Sequence, residues 1–180
     1  TVEDTTSPVI TLEGNSTFRH RVFLPYVELG STTVDTLDGE LNATVSGSVD
    51  VSTPGVYEIR FSARDAAGND AVSVVRTVEV FNEAPSEILP DDLKVEEVLP
   101  AGTPVGLLSA LDPDDPNSTR PYTFKLLDET NSSDHLAFTL DTNGSLSTSK
   151  VLDFEIQSSY SLLVQVTDEF EASLQKRLVV

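Results

Sequence analysis

The strongest constraint on this chain is the absence of a helical period. No segment of its 180 residues keeps apolar side chains at helical spacing. Short β-rich runs recur instead about every 8–12 residues, with Gly, Pro, Asn and Asp between them. That punctuation fits antiparallel sandwiches and not βαβ units, so the expected fold class is all-β, as two tandem Greek-key β-sandwiches with almost no helix. The clearest run is Tyr57-Ile59-Phe61-Ala63, which alternates one row inward and leaves Glu58, Arg60 and Arg64 on the other face.

A second feature divides the chain. The alternating run ending at Val78-Glu79-Val80 meets Phe81-Asn82-Glu83-Ala84-Pro85, where Pro85 removes a backbone donor and stops the strand. The intervening residues are too few for a slack linker, so an interaction is expected to fix the angle between the halves. The predicted domains are residues 1–81 and 82–180, each near the low end of independently stable size. Strands are expected over Pro8–Leu12, Val22–Leu29 (broken at Pro25), Leu41–Val49, Tyr57–Ala63 and Val72–Val80. In the second half they are expected over Val95–Leu99, Val105–Ala110, Tyr122–Leu126, Phe138–Leu140 with Leu146, and Tyr160–Val166.

Charge narrows the function. Residues 1–82 carry 12 acids and 5 bases and residues 83–180 carry 18 acids and 6 bases, giving −7 and −12 and a formal net charge of −19. Such a field repels nucleic acid and anionic membranes, whose binding requires Lys and Arg against phosphates. It suits a hard divalent cation, which takes carboxylate oxygens. With no Cys there is no disulfide framework, thiolate metal site or cysteine nucleophile. No apolar run is long enough to span a bilayer and Thr1 opens no signal-peptide pattern, so the expectation is an excised piece of a longer protein. Five of the seven Asn residues (Asn15, Asn42, Asn117, Asn131 and Asn143) begin Asn-x-Ser/Thr triplets, which in a eukaryotic source would be glycan sites on surface loops.

Catalysis finds no support. No Ser-His-Asp arrangement or phosphate-cradling Gly loop is present, and His20 and His135 lie far apart and read as surface residues. Paired carboxylates serve glycosidases, but this chain has no Trp for a sugar platform, and Tyr26 with Phe23 gives only a hint of an aromatic row. Asp35, Asp38 and Asp65, beside Asp4, sit in Asp-Gly and Asp-Ala-Ala-Gly-Asn contexts and read as ordinary turn formers.

The strings "SPVITLEG", "VDTLDGEL" and "STPGVYEIRFSARDAAGN" resemble bacterial-type Ig-like domains of the hyaline-repeat kind, which implies a β-sandwich used as a spacer or adhesion module. Over residues 82–180, "NEAPSEI", "VEEVLPAGTPVG", "ALDPDD", "LDFE" and "YSLLVQVTD" resemble a cadherin repeat, in order. By that resemblance Glu97 takes the place of the strand-A glutamate and Asp112 and Asp114 match the DxD motif. Asp153 and Glu155 match the DRE motif as "DFE", and Asp168 matches the late aspartate. The resemblance implies calcium at two poles. Asn82, Glu83, Asp112, Asp114 and Asp168 would serve the hinge pole, and Glu97, Asp153 and Glu155 the distal one. Aligning Tyr57 with Tyr160 puts Asp50 opposite Asp153 and Ser52 opposite Glu155, so Asp50, with Glu13 as a further candidate, is the first domain's contribution. The linker "EVFNE" departs from the animal DxNDN pattern and is closer to cadherin-like repeats of bacterial surface proteins.

The expected function is a non-enzymatic, calcium-dependent adhesion or spacer module of a larger extracellular or cell-surface protein, stiffened by calcium at its inter-domain junctions. Its partners would be neighbouring domains of the same chain and another cell-surface protein or glycan, with no nucleic acid and no membrane insertion. The alternative is a non-catalytic accessory or spacer segment of a large secreted carbohydrate-active enzyme.

Overall fold

Fifteen strands and one 3-10 turn account for the regular structure of residues 2–130 and 132–180, which are those described by the computed structural model. They fall into two units, Thr1–Asn82 and Glu83–Val180. The fold is all-β, as expected.

The first unit contains β1 (Val9–Leu12), β2 (Thr17–Arg21), β3 (Ser31–Asp35), β4 (Gly39–Leu41), β5 (Thr44–Ser46), β6 (Gly55–Ser62) and β7 (Val74–Phe81). One sheet runs β1-β3-β4 and the other β2-β7-β6-β5, with β2 parallel to β7 and the remaining pairs antiparallel. β6 alternates as the sequence suggests. Ile59 and Phe61 are buried with Ile10, Ala63 and Ala71, while Val56, Glu58 and Arg60 face out. Burying one such side chain as large as Phe61 is worth about 1.5–3 kcal/mol.

One expected strand is absent. Residues 22–29 hold no strand, and the strand lies earlier, at β2. Val22 N–H still donates to the Phe81 carbonyl (2.9 Å), but Phe23 turns to a φ of +63° and gives its N–H to Val51 (2.7 Å). The left-handed residue and the donorless Pro25 end the ladder there. β2 went unpredicted because it is an edge strand whose sequence, Thr-Phe-Arg-His-Arg, puts charge on its open side.

The second unit contains β8 (Glu87–Leu89), β9 (Pro104–Leu107), β10 (Ser109–Leu111), β11 (Thr123–Leu126), β12 (Phe138–Leu140), β13 (Ser145–Thr148), β14 (Ser161–Thr167) and β15 (Ser173–Val179), with the 3-10 turn at Asp134–Ala137. Its sheets run β11-β14-β15, β12-β13-β9 and β10-β8. β14 supplies the centre, with Leu162, Val164 and Val166 fully buried on alternate positions, and Phe138 packs edge-to-face on Tyr160 at 5.3 Å.

Here too one expectation is corrected. Val95–Leu99 is not a strand. Val98 takes a φ of +61° and donates its N–H to Leu152 (2.9 Å), which brings Glu97 beside the Leu152–Phe154 segment. The Asp141–Gly144 turn does form as expected. Gly144 has a φ of +91°, and a Cβ there would stand 2.5 Å from the Leu108 carbonyl oxygen.

Candidate metal centre

Two groups of three carboxylates bring an oxygen of every member within 4.8 Å of the others among the described residues: Glu97, Asp153 and Glu155, and Asp4, Asp35 and Asp65. The first was singled out in the sequence. The second was read there as turn chemistry.

Glu97, Asp153 and Glu155 are all exposed. Their backbone holds them in place. Asp153 Oδ1 accepts N–H bonds from Glu155 (3.0 Å) and Ile156 (3.2 Å), and Glu97 Oε2 accepts one from Phe154 (2.9 Å). The turn at Val98 and the turn after Leu152 therefore fix each other through a carboxylate. Like charges so close are unfavourable unless water or a cation lies among them. All the donors are hard oxygens, and the set fits a calcium-type ion completed by carbonyls and water.

At the other pole of the same unit, Asp112, Asp114 and Asp115 follow β10 directly and are almost completely buried. Asp112 Oδ1 accepts the Asp114 N–H (2.8 Å), and Asp114 Oδ2 accepts the Glu83 N–H. Burial pushes the Asp112 carboxyl up from its ordinary range. The Asp114 N–H opposes that rise, and the charges of Asp168 and Asp115 add to it. Burial acts the same way on Asp115, but N–H bonds from Thr119 and Arg120 and two hydroxyls outweigh it and bring that carboxyl down. Asp168 directly follows β14 and accepts N–H bonds from Phe170 and Ala172, both at 2.9 Å. Asp112 thus feels Asp168, although Asp112, Asp114 and Asp168 do not form a cluster as tight as the first.

The remaining candidates lie in the first unit or outside this pole. Asp50 is exposed, and its Oδ1 accepts the Ser52 N–H (2.9 Å) and hydroxyl (2.6 Å); the Ser52 hydroxyl, then its N–H, hold the carboxyl below its usual range. Asn82 closes the first unit after β7. The two histidines are partly buried. His20 packs edge-on against Tyr26 at 5.5 Å, and His135 Nε2 lies 3.2 Å from Asp128. Tyr26 stacks on Phe18, so it builds no exposed aromatic row. Asn15, Asn42, Asn117 and Asn143 are exposed, and Asn131 lies outside the described residues.

Comparison with known proteins follows the same division. Residues 10–80 match the family model for a bacterial surface protein Ig-like domain, and residues 91–180 match the cadherin domain. The chain belongs to the cadherin family. Mouse Protocadherin Fat 2 is 32% identical over 165 residues, 87% of this chain and 4% of that protein. Human Cadherin-5 is 31% identical over 143 residues, 69% of this chain and 17% of that protein. The chain therefore spans a small part of the curated relatives it matches. Among solved structures, Drosophila N-cadherin EC1-3 is similar with a TM-score of 0.45 at 15% identity, covering 96% of this chain and 66% of the other. Mouse Cadherin-23 EC22-24 is similar with a TM-score of 0.44 at 16% identity, covering 97% and 66%.

Proposed function

We propose that this chain is a non-catalytic spacer or adhesion module of an extracellular or cell-surface protein, built from an Ig-like domain over 1–81 and a cadherin-like domain over 82–180, and that calcium stiffens the ends of the cadherin-like domain. The observation that carries this reading is the Glu97–Asp153–Glu155 cluster. Three exposed carboxylates from two separate turns are pre-placed within 4.8 Å by N–H bonds from Phe154, Glu155 and Ile156. Asp112, Asp114 and Asp168, with Glu83 at the start of the unit, form the second calcium pole, where burial first, and then the charges of Asp168 and Asp115, push the Asp112 carboxyl up. Asn82, which opens the cadherin-like domain, is a further ligand candidate for that pole, and Asp50 is one from the first domain. Among the described residues no helix is long and apolar enough to cross a membrane, and the module's partners are adjoining domains and another cell-surface protein or glycan. The exposed Asn15, Asn42, Asn117 and Asn143 are glycan acceptors if the chain is made in a eukaryotic secretory route.

A ligand that binds only the folded state raises stability by about 2.7 kcal/mol at 100-fold excess over its dissociation constant. Calorimetric melting with calcium and with chelator tests the reading on wild type, Asp153→Ala and Asp168→Ala. Calcium should raise the wild-type melting temperature at concentrations on the order of 10⁻⁴–10⁻³ M, and each variant should lose part of that gain. An unchanged wild-type melt, or the same gain in all three proteins, refutes the calcium assignment.

A further inference from the structure

The Asp4–Asp35–Asp65 cluster lies in the first unit, and its members form turns, as the sequence suggests, while meeting in a way that turn formation alone does not require. Each of the three offers a carboxylate oxygen within 4.8 Å of the other two. Asp35 ends β3 with 3% of its surface exposed, and Asp65 follows β6 with 7%. The turns use only part of these carboxylates. Asp35 Oδ1 accepts the N–H groups of Leu37 (2.7 Å) and Asp38 (3.0 Å), which leaves Oδ2 buried without a hydrogen-bond partner. Asp4 repeats the pattern, with Oδ1 taking the Thr6 N–H (3.0 Å) and Oδ2 buried and unpartnered.

Turn formation therefore explains one oxygen each of Asp4 and Asp35 and leaves the other unexplained. An unpaired buried carboxylate oxygen is costly, and two of them beside a third carboxylate are more so. No Lys or Arg pairs with any of the three among the described residues. The segment carrying Asp4 is also pinned. Asn69 Nδ2 donates to the carbonyls of Asp4 (3.2 Å) and Thr6 (3.1 Å) and to Asp65 Oδ2 (2.8 Å), tying that segment to the Asp65–Asn69 turn. The three acids thus converge from three separate loops.

We propose that Asp4, Asp35 and Asp65 form a cation site of the Ig-like domain, taking a hard divalent ion of calcium type through Asp4 Oδ2, Asp35 Oδ2 and a carboxylate oxygen of Asp65. The donor set is all oxygen and carries three negative charges, which a divalent ion reduces to one. The ion clamps the Asp4 segment to the two turns, so its mechanical effect falls on the amino-terminal end of this domain. The site is independent of the calcium poles proposed for the cadherin-like domain.

The test is a calcium titration of the full chain read by amide NMR, with chelator as the zero point. The amides of Leu37, Asp38, Gly68 and Asn69, which donate to Asp35 and Asp65, should shift and saturate at roughly 10⁻⁴–10⁻³ M calcium. Asp35→Asn and Asp4→Asn should each weaken that response at least about tenfold, as loss of metal-site partners does, while leaving the response of Glu155 and Ala172 in the second unit intact. Asp4 is only half-buried, so Asp4→Asn decides the matter if Asp35→Asn does not fold. First-unit amides that stay fixed up to about 10⁻² M calcium, ten times the weak end of the expected range, overturn the site, and so do shifts identical in wild type and Asp4→Asn. Movement in the second unit alone keeps the cadherin-pole reading and removes this one. Movement in the first unit alone does the reverse.

Discussion

At the centre of Glu83–Val180, fourteen buried residues form one apolar cluster, whereas the main cluster of Thr1–Asn82 has five and shares its unit with a fully buried arginine. Arg76, on β7, donates through Nη1 to Glu28 and through Nη2 to the carbonyls of Glu13 and Gly30, and Tyr26 closes the network on Glu28. The second unit has its own arginine on β15, Arg177, which also grips a glutamate, but at the surface. Both units are all-β sandwiches with alternating strands. One is held by apolar volume and keeps its arginine pair at the surface, while the other uses a buried arginine to join β7 to the segments after β1 and before β3. The difference shows that a small core can be completed by a charged group whose Nη donors find carbonyls and a carboxylate even though its buried Nε has no partner, and that such a core becomes sensitive to single charges.

The largest test of that contrast is Arg76→Met. Removing one member of a buried pair leaves the other charge unpaired, at about 3–5 kcal/mol, and here it also strips donors from Glu13 and Gly30. Denaturant unfolding should show that loss. The double variant Arg76→Met, Glu28→Leu should lose clearly less than the two single variants summed, because no lone charge remains. A single-variant cost below about 1 kcal/mol, the level of a surface pair, would mean that the first unit does not depend on its buried ion pair.

Gly144→Ala probes how tightly the larger apolar core constrains its own turns. The residue sits at a φ of +91°, and an added Cβ meets the Leu108 oxygen at 2.5 Å. Strain of that kind costs about 1–3 kcal/mol, and thermal melting should fall accordingly. An unchanged melt would show that the Leu108 backbone yields, contrary to the close packing of this unit.

One group from each unit sets the two signs of pH dependence against each other. Burial, then the hydrogen bond to Glu28, pushes the Tyr26 phenol from 10.0 up to about 12. A raised acid favours the fold while protonated, so its contribution is complete below pH 10 and is lost as the pH rises toward about 12. Asp134 goes the other way. The Ser161 N–H, then the Gln157 amide, hold its carboxyl below 3.8, so its contribution is present above that value and is lost as the pH falls through the lowered one. Tyr26→Phe should flatten the alkaline limb of a stability-against-pH curve and leave the acid limb alone, with Asp134→Asn doing the opposite. If the two variants change the same limb, the assignment of these groups is wrong.

Legibility followed periodicity and failed where single residues broke it. Gly55–Ser62 and Ser161–Thr167 alternate without interruption and were readable to within a residue or two. Val22–Leu29 and Val95–Leu99 look equally apolar, but Phe23 and Val98 take positive φ, which no composition signal announces for a bulky residue. The short β8 and the charged edge strand β2 lacked an alternating apolar row long enough to stand out. Among the acids, the Glu97–Asp153–Glu155 grouping was visible only through the family resemblance, since 56 residues separate Glu97 from Asp153. Asp4, Asp35 and Asp65 looked like three separate turns because each does make a turn. Only the unpartnered oxygens of Asp4 and Asp35 point to the proposed common site, and they are a property of the folded loops.

The smallest expected effect is also the one that isolates burial from pairing. Arg177 and Glu129 make a two-pronged pair at 2.7 and 2.8 Å, with geometry as good as any ion pair in the chain. The Arg177 side chain is 53% exposed, however, whereas that of Arg76 has no exposure at all. Water solvates Arg177 in the folded and unfolded chain alike, and holding two long side chains in one geometry costs entropy. Arg177→Met should therefore cost only about 0.2–1 kcal/mol, and most of that cost should vanish near 1 M salt, where the Debye length falls to about 3 Å. Arg76→Met should keep nearly all of its cost in the same salt, because screening ions do not reach a buried pair. Urea unfolding of both variants at low and high sodium chloride makes the comparison directly. If Arg177→Met proves as damaging as Arg76→Met, or as indifferent to salt, pairing geometry and not burial sets the value of these arginines, and the contrast between the two cores collapses.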